Sequence, residues 1–274
     1  MTPHPFDTAI ALAPQPDGTM LGATSPDYWN MVGPYGGITA AIVINAVMQH
    51  PALIGEPLAL TINYAAAMAA GPFRAKVRPA RTNRSTQHWL VELVQTTAEG
   101  DEILTTTASV VTATRRDTFA DSDVPMPAVP APADVARVDR TAAGVAWLAH
   151  YDIRPIAGDV PRQWDGQVAD SLSQLWMRDN PPRPLDFPGL ASMSDLFFPR
   201  VWLRRAVRVP AGTVSMTVYF HADGAALAAT ATGHVLGQAK GQGFRHGFFD
   251  QSGQLWNEAG LLLATTHQVV YFKG

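Results

Sequence analysis

Residues 38–50 read Ile-Thr-Ala-Ala-Ile-Val-Ile-Asn-Ala-Val-Met-Gln-His, and Ile38, Ala41, Ile42, Val43, Ile44, Ala46, Val47 and Met48 point in nearly every direction around a helical axis. A helix apolar on all sides must be enclosed by protein. Thr39 and Asn45 interrupt it, and it is too short to cross a bilayer. Pro51 ends it, because proline cannot donate to the helical ladder and disfavours helical geometry in the residue before it. The chain beyond Pro51 is rich in Thr, Val and Leu and reads as strands at 57–65, 73–81, 87–95 and 102–113, with Gly71-Pro72 and Glu99-Gly-Asp101 as turns. One buried helix followed by a run of antiparallel strands predicts an α+β unit in which the sheet wraps the helix.

Upstream, residues 6–12 and 19–24 read as strands around the turn Pro14-Gln-Pro-Asp-Gly18. Residues 115–140 change character: Pro125, Pro127, Pro130 and Pro132 stand among Ala and Val, the composition of an extended, semi-rigid linker. The second half then repeats the first. Strands are expected at 151–157, 171–178, 212–221, 226–232, 241–250 and 255–272. Leu60-Thr-Ile-Asn-Tyr64 matches Met216-Thr-Val-Tyr-Phe220, and Leu104-Thr-Thr-Thr-Ala-Ser-Val-Val111 matches Leu263-Ala-Thr-Thr-His-Gln-Val-Val270. Such self-similarity predicts duplication of one unit, with units at 1–115 and 144–274 joined by a linker at 116–143.

The second unit's helix carries an acid. Asp186 is a candidate N-cap, Pro188 suits the first turn and Pro199 closes the segment, which predicts about three turns with Asp195 well inside. Ala191, Ser192, Phe198 and Pro199 flank Asp195 at helical spacing and include no cation, so a buried carboxylate is expected.

The chain of 274 residues, 47% hydrophobic, is long enough for a large core, and its net charge of −3 carries no basic footprint for nucleic acid or an anionic membrane. Cysteine is absent, which removes disulfides, thiolate metal sites and Cys nucleophiles and fits the cytoplasm. The start, Met-Thr-Pro-His-Pro-Phe-Asp, lacks the basic and apolar regions of a secretory signal. There is no Gly-x-Ser-x-Gly elbow, Walker A loop or His-Glu-x-x-His. His221, His234, His246 and His267 have no metal-ligand spacing, so no metal and no cofactor is expected.

Three polar residues of the second half remain: Asp195 after Ser194, Thr213 ahead of Tyr219-Phe220-His221, and Gln268 in Thr266-His-Gln268. Together with Leu175-Trp-Met-Arg178 ahead of Arg183-Pro-Leu-Asp186, their order resembles the type II (TesB-like) acyl-CoA thioesterases, which have a double-hotdog fold. The resemblance runs from Gly36-Gly37 to Gln268. It departs at Ser215, where many members carry an acid, and at Ile38, where a Gln often follows the Gly pair.

It implies a tandem hotdog in which Asp195, Thr213 and Gln268 activate water against an acyl-CoA thioester. The chemistry suits the residues: a carboxylate accepts the proton, while amide and hydroxyl hold the water. Backbone N–H groups of Gly36 and Gly37 at a helix start suit the developing oxyanion. Phe197 and Phe198 are expected against the acyl chain, and Arg81 and Arg84 against the CoA phosphates. A hydratase using His221 or His267, and a non-catalytic acyl-binding protein, are the alternatives. Open sheet edges make a homo-oligomer possible.

Overall fold

The computed structural model describes residues 3–139 and 144–274. The all-round apolar segment is a helix, α2 (Gly36–Met48), buried from Gly37 through Ile44 and again at Ala46 and Val47. Before it come α1 (Pro5–Ala9), β1 (Ala13–Pro14) and β2 (Met20–Ala23); after it, β3 (Glu56–Tyr64), β4 (Pro72–Thr82), β5 (Thr86–Thr96) and β6 (Glu102–Ala113). The second half runs β7 (Tyr151–Ala157), β8 (Ser173–Asp179), α3 (Phe187–Met193), α4 (Arg200–Arg205), β9 (Ala211–Phe220), α5 (Gly224–Thr230), β10 (Val235–Lys240), β11 (Phe244–Arg245), β12 (Phe248–Asn257) and β13 (Leu262–Phe272).

All strands join one antiparallel sheet in the order β1-β2-β4-β5-β6-β3-β9-β13-β12-β10-β8-β7, with β11 beside β12. The halves meet at β3 and β9, the two strands whose sequences match. Thr61 faces Thr217 there, their hydroxyls 3.1 Å apart, with Leu60 opposite Val218 and Ile62 opposite Met216. Equivalent residues therefore flank a local two-fold axis through the threonine pair. This is the tandem hotdog expected: each half of the sheet curves round its own helix.

The helices α2 and α3 pack against each other with the start of α2 beside the end of α3, and Gly37 permits the close approach. A Cβ on Gly37 would lie 2.5 Å from the Ser192 carbonyl oxygen, so any larger residue forces the helices apart. Tyr35 Oη donates to that carbonyl at 2.7 Å, and Tyr151 Oη shares a hydrogen bond of 2.7 Å with Ser192 Oγ.

Segment 114–139 carries only one short 3₁₀ turn, at Pro132–Asp134, yet it is strapped down. Trp176 Nε1 donates to Pro130 O at 2.9 Å, Trp256 Nε1 to Val124 O at 3.2 Å and Arg154 Nη1 to Pro132 O at 2.6 Å. Met126, Val129 and Val135 cover Trp176, Leu236 and Trp256. Residues 140–143 of the expected linker lie outside the described residues. At its start, Arg115 Nη2 donates to Pro57 O, Phe220 O and Ala222 O at 3.1, 2.8 and 2.9 Å, tying both halves together.

Four expected strands are otherwise: residues 241–250 hold β11, a turn at His246-Gly247 and the start of β12, and three more differ. Residues 6–12 contain α1, whose first turn has Pro5 and whose Phe6 N–H donates to the His4 ring at 3.1 Å. Residues 226–232 fall largely in α5, capped by Asp223, which accepts from Ala226 N at 2.8 Å; the alanines favour helix once capped. The expected strand 255–272 is the end of β12 and all of β13, separated by a turn in which Gly260 has φ 85°.

Candidate active site

Asp195 lies just beyond α3 rather than inside it. Ser194 Oγ bonds back to Leu190 O at 2.9 Å, and the Asp195 N–H reaches only three residues back, to Ser192 O at 3.2 Å, so the last turn tightens and the helix stops. The carboxylate is thereby set between the end of α3 and the start of α2. The Gly37 N–H donates to it. A Cβ on Gly36 would be 2.7 Å from Asp195 Oδ2, so Gly36 makes room for this acid.

Gln268, on the inner face of β13, is 3% exposed and its Nε2 donates to Asp195 Oδ1 at 2.9 Å. Its Oε1 faces Thr213 Oγ1 at 3.4 Å, a long contact. Thr213 is aimed there by a bulge: Val269 pairs with Ser215 but Val270 with Thr213, leaving Val214 as the extra residue. Asp195, Thr213 and Gln268, from three separate segments, thus form one connected set. Burial pushes the Asp195 carboxyl up to about 7, against the pull of the Gln268 amide and the Gly37 N–H. It is a proton acceptor poised near neutrality. Burial also drives Tyr35 and Tyr64 far above the ordinary tyrosine value, with the Asp195 charge adding to it, so both remain protonated donors; Tyr64 Oη donates to Gly36 O at 2.8 Å.

The trio opens onto a cavity of about 790 Å³ between the halves, whose wall includes Gly36 and in which Asp195 and Arg208 are the only charged groups among the described residues. Ile153, Leu175 and Phe197 are buried and form its floor, while Met31, Val32, Trp164 and Arg208 are exposed and mark its mouth. Phe197 lies on the sheet over Gly237, where a Cβ would come within 2.7 Å of its ring. Phe198 also lines the cavity and is backed by Arg200, whose guanidinium lies 4.6 Å from the ring centre. Arg200 is fully buried and has no acid partner among the described residues; it donates to Phe198 O at 2.6 Å and Ser171 O at 3.1 Å, and burial lowers it to about 9.

Arg81 and Arg84 are elsewhere. Arg81 stands opposite His88, His88 opposite Val111 and Val111 opposite Ala59, whereas the cavity takes Tyr64 and Thr106 from the other end of the same ladder. Both side chains are exposed, and Arg81 Nε bonds Asn83 Oδ1 at 3.1 Å. A loop pair of arginines says nothing about which end of a hairpin the site occupies. The cation on the wall is Arg208, which sequence reasoning missed, as it missed Gln251. Gln251 had a signal: it alternates with Phe249, Gly253 and Leu255 and so stands at a core position of a strand. Among the described residues no histidine lines the cavity and no group of His, Asp and Glu could hold a metal. His221 bonds Thr265 Oγ1 at 3.0 Å and His267 lies 3.4 Å from Asp250.

Two family models match the chain. The acyl-CoA thioesterase N-terminal domain matches residues 25–113 and the acyl-CoA thioesterase C-terminal domain matches residues 121–272. The chain belongs to the acyl-CoA thioesterase family. Among solved structures it is similar to a conserved protein of unknown function with a hot dog fold from Alicyclobacillus acidocaldarius, at 44% identity over 100% of this chain and 99% of that one, TM-score 0.92. It also shares the fold of the acyl-CoA thioesterase II TesB2 from Mycobacterium marinum, at 18% identity over 98% of both chains, TM-score 0.76. The dehydratase domain of PpsC from Mycobacterium tuberculosis is more distant, at 12% identity over 99% of this chain and 100% of that one, TM-score 0.53. A search of curated proteins finds no match. Among the described residues no helix is long and apolar enough to cross a membrane.

Proposed function

We propose that the protein hydrolyses acyl-CoA thioesters to free acid and CoA, with Asp195 as the general base for a water that Gln268 and Thr213 help to hold. The observation that carries this reading is the 2.9 Å bond from Gln268 Nε2 to an Asp195 carboxylate raised to about 7, inside a cavity that also contains Thr213. Water attacks a polarised thioester directly, so no nucleophilic side chain is required. Asp195 takes the water proton as the C–O bond forms; collapse of the tetrahedral intermediate breaks the C–S bond, and the thiolate of CoA leaves with that proton. The Gly36 N–H, at the start of α2, suits the developing oxyanion, while the Gly37 N–H is engaged by Asp195. The acyl chain fits the apolar floor at Phe197, with Phe198 beside it, and Arg208 at the mouth suits the coenzyme's phosphates.

Hydratase chemistry has no histidine to use among the described residues of the cavity. Release of thiol from a series of acyl-CoAs tests the proposal. Turnover by the native protein and its loss in Asp195→Asn support it, and undiminished turnover in Asp195→Asn overturns it.

A further inference from the structure

The ring of Phe197 covers a trough in the inner face of the C-terminal sheet. It rests on Gly237 of β10, where a Cβ would come within 2.7 Å of it, and its other edge lies 3.6 Å from where a Cβ on Gly253 of β12 would stand. Gly237 pairs with Leu255 and Ala239 with Gly253, so the two glycines are diagonal neighbours on adjacent strands. Missing side chains at neighbouring inner-face positions leave room for a ring to approach the backbone closely. The end of Met177 closes the trough beside Gly237, and the Thr266 methyl closes it beside Gly253. Phe197 lines the cavity, whereas Met177, Gly237, Gly253 and Thr266 do not. The ring is therefore the partition between cavity and trough. It is also held in place: the buried Arg200 guanidinium lies 5.9 Å from its centre and donates to Ser171 O at 3.1 Å and Ser173 Oγ at 2.6 Å. The wall beside the ring is closed and apolar. Leu175 stands opposite Gly237, and Ile153, Leu175 and Phe197 are all buried. Of the parts of an acyl-CoA, only the alkyl chain suits that wall, since burying the polar coenzyme there would leave its groups unpaired. Asp195 and Phe197 are two residues apart, so their Cα atoms are separated by at most about 7 Å. A chain that starts at a carbonyl beside Asp195 meets the ring after roughly four to eight carbons.

We propose that Phe197 is the end stop of the acyl pocket and restricts the protein to short- and medium-chain aliphatic acyl groups, of about eight carbons or fewer. The proposal rests on the thioester reading of the same site. A longer chain has to lift the ring off Gly237 against the groups packed round it, or fold back on itself, and forcing extra methylenes into a filled apolar space is unfavourable.

Thioether analogues read chain length apart from catalysis, because they bind without being hydrolysed. Calorimetric titration of the native protein with S-butyl-, S-octyl- and S-dodecyl-CoA is expected to show affinity rising from butyl to octyl and falling about tenfold or more at dodecyl. In Phe197→Ala the trough joins the cavity, and the dodecyl ligand is expected to gain about tenfold or more relative to octyl. Gly237→Ala works in the opposite sense. Its methyl meets both Met177 and the ring; the flexible end of Met177 can turn aside, the ring is displaced toward the cavity, and octyl is expected to lose affinity relative to butyl. A merely structural role for the ring would weaken all three ligands alike in both variants, and that result overturns the proposal. Equal affinity of the native protein for octyl and dodecyl overturns it without any variant, as does binding of none of the three. Should Phe197→Ala fail to fold, Phe197→Leu makes the same test with a smaller shift, and an unchanged octyl-to-dodecyl ratio in either folded variant overturns the proposal. Failure of the hydrolase reading appears separately, as octanoyl-CoA turnover that survives Asp195→Asn.

Discussion

Two carboxylates in this molecule are pushed by burial to about 7, and they differ in everything else. Asp195 has the Gln268 amide at 2.9 Å, the Gly37 N–H and an open cavity. Asp179, at the end of β8, is 1% exposed, and among the described residues neither of its oxygens has a hydrogen-bond partner. Arg183 pulls its value down only in part, with Asp186 and Asp7 working against it. A raised carboxyl alone therefore marks no site; donors that hold the ionised form and room for a substrate do.

The largest separation between the two acids is expected in turnover. Asp195→Asn should lower kcat/KM by about two to three decades, the loss typical of removing one group that acts in the transition state, while Asp179→Asn leaves thioester hydrolysis within a factor of two or so of native. A steady-state thiol-release assay checks both. Gln268→Ala should follow at about two decades. Thr213→Ala, with only a 3.4 Å contact to lose, is expected to cost less, about tenfold.

The pH profile comes next. Because Asp195 must be ionised to accept a proton, kcat/KM is expected to rise about tenfold per unit below pH 7 and level off above it, in native protein and in Asp179→Asn alike. A profile that moves with Asp179 would reassign the base. The smallest effect is on stability. The folded value of Asp179, about 7, lies above its unfolded value, 3.8, so its protonated form favours the fold fully below the lower value, and this contribution is lost as pH rises to the upper one. Asp179→Asn should therefore raise Tm at pH 8 by at least about 2 °C and leave it unchanged near pH 3.5. Thermal melts at the two pH values decide it.

Much of the architecture was legible because it rests on local signals. The all-round apolar α2 and the Thr- and Val-rich strands β3 to β6 needed only periodicity, and the match between β3 and β9 exposed the duplication. Asp195, Thr213 and Gln268 could be named from order, yet their convergence depends on a bulge at Val214 and a helix that stops at Met193, neither of which periodicity reports. Arg81 and Arg84 misled because position along a hairpin is a property of the whole sheet. Gln251 was concealed by strand boundaries: with β12 misdrawn, its inward alternation was invisible. The helices α1 and α5 were missed since their caps, His4 and Asp223, act over a single turn.

The tryptophan-bound strap of residues 124–135 bears on how this chain can be handled. Trp176 and Trp256 lend their indole N–H groups to it, so it roofs the outer side of the C-terminal sheet as well as connecting the halves. Cutting the protein there into two expressible modules, or replacing the strap with glycine and serine, would bare two large rings and three aliphatic anchors to water. Such pieces should precipitate or recapture one another, and a homologous half grafted in would need to bring its own strap.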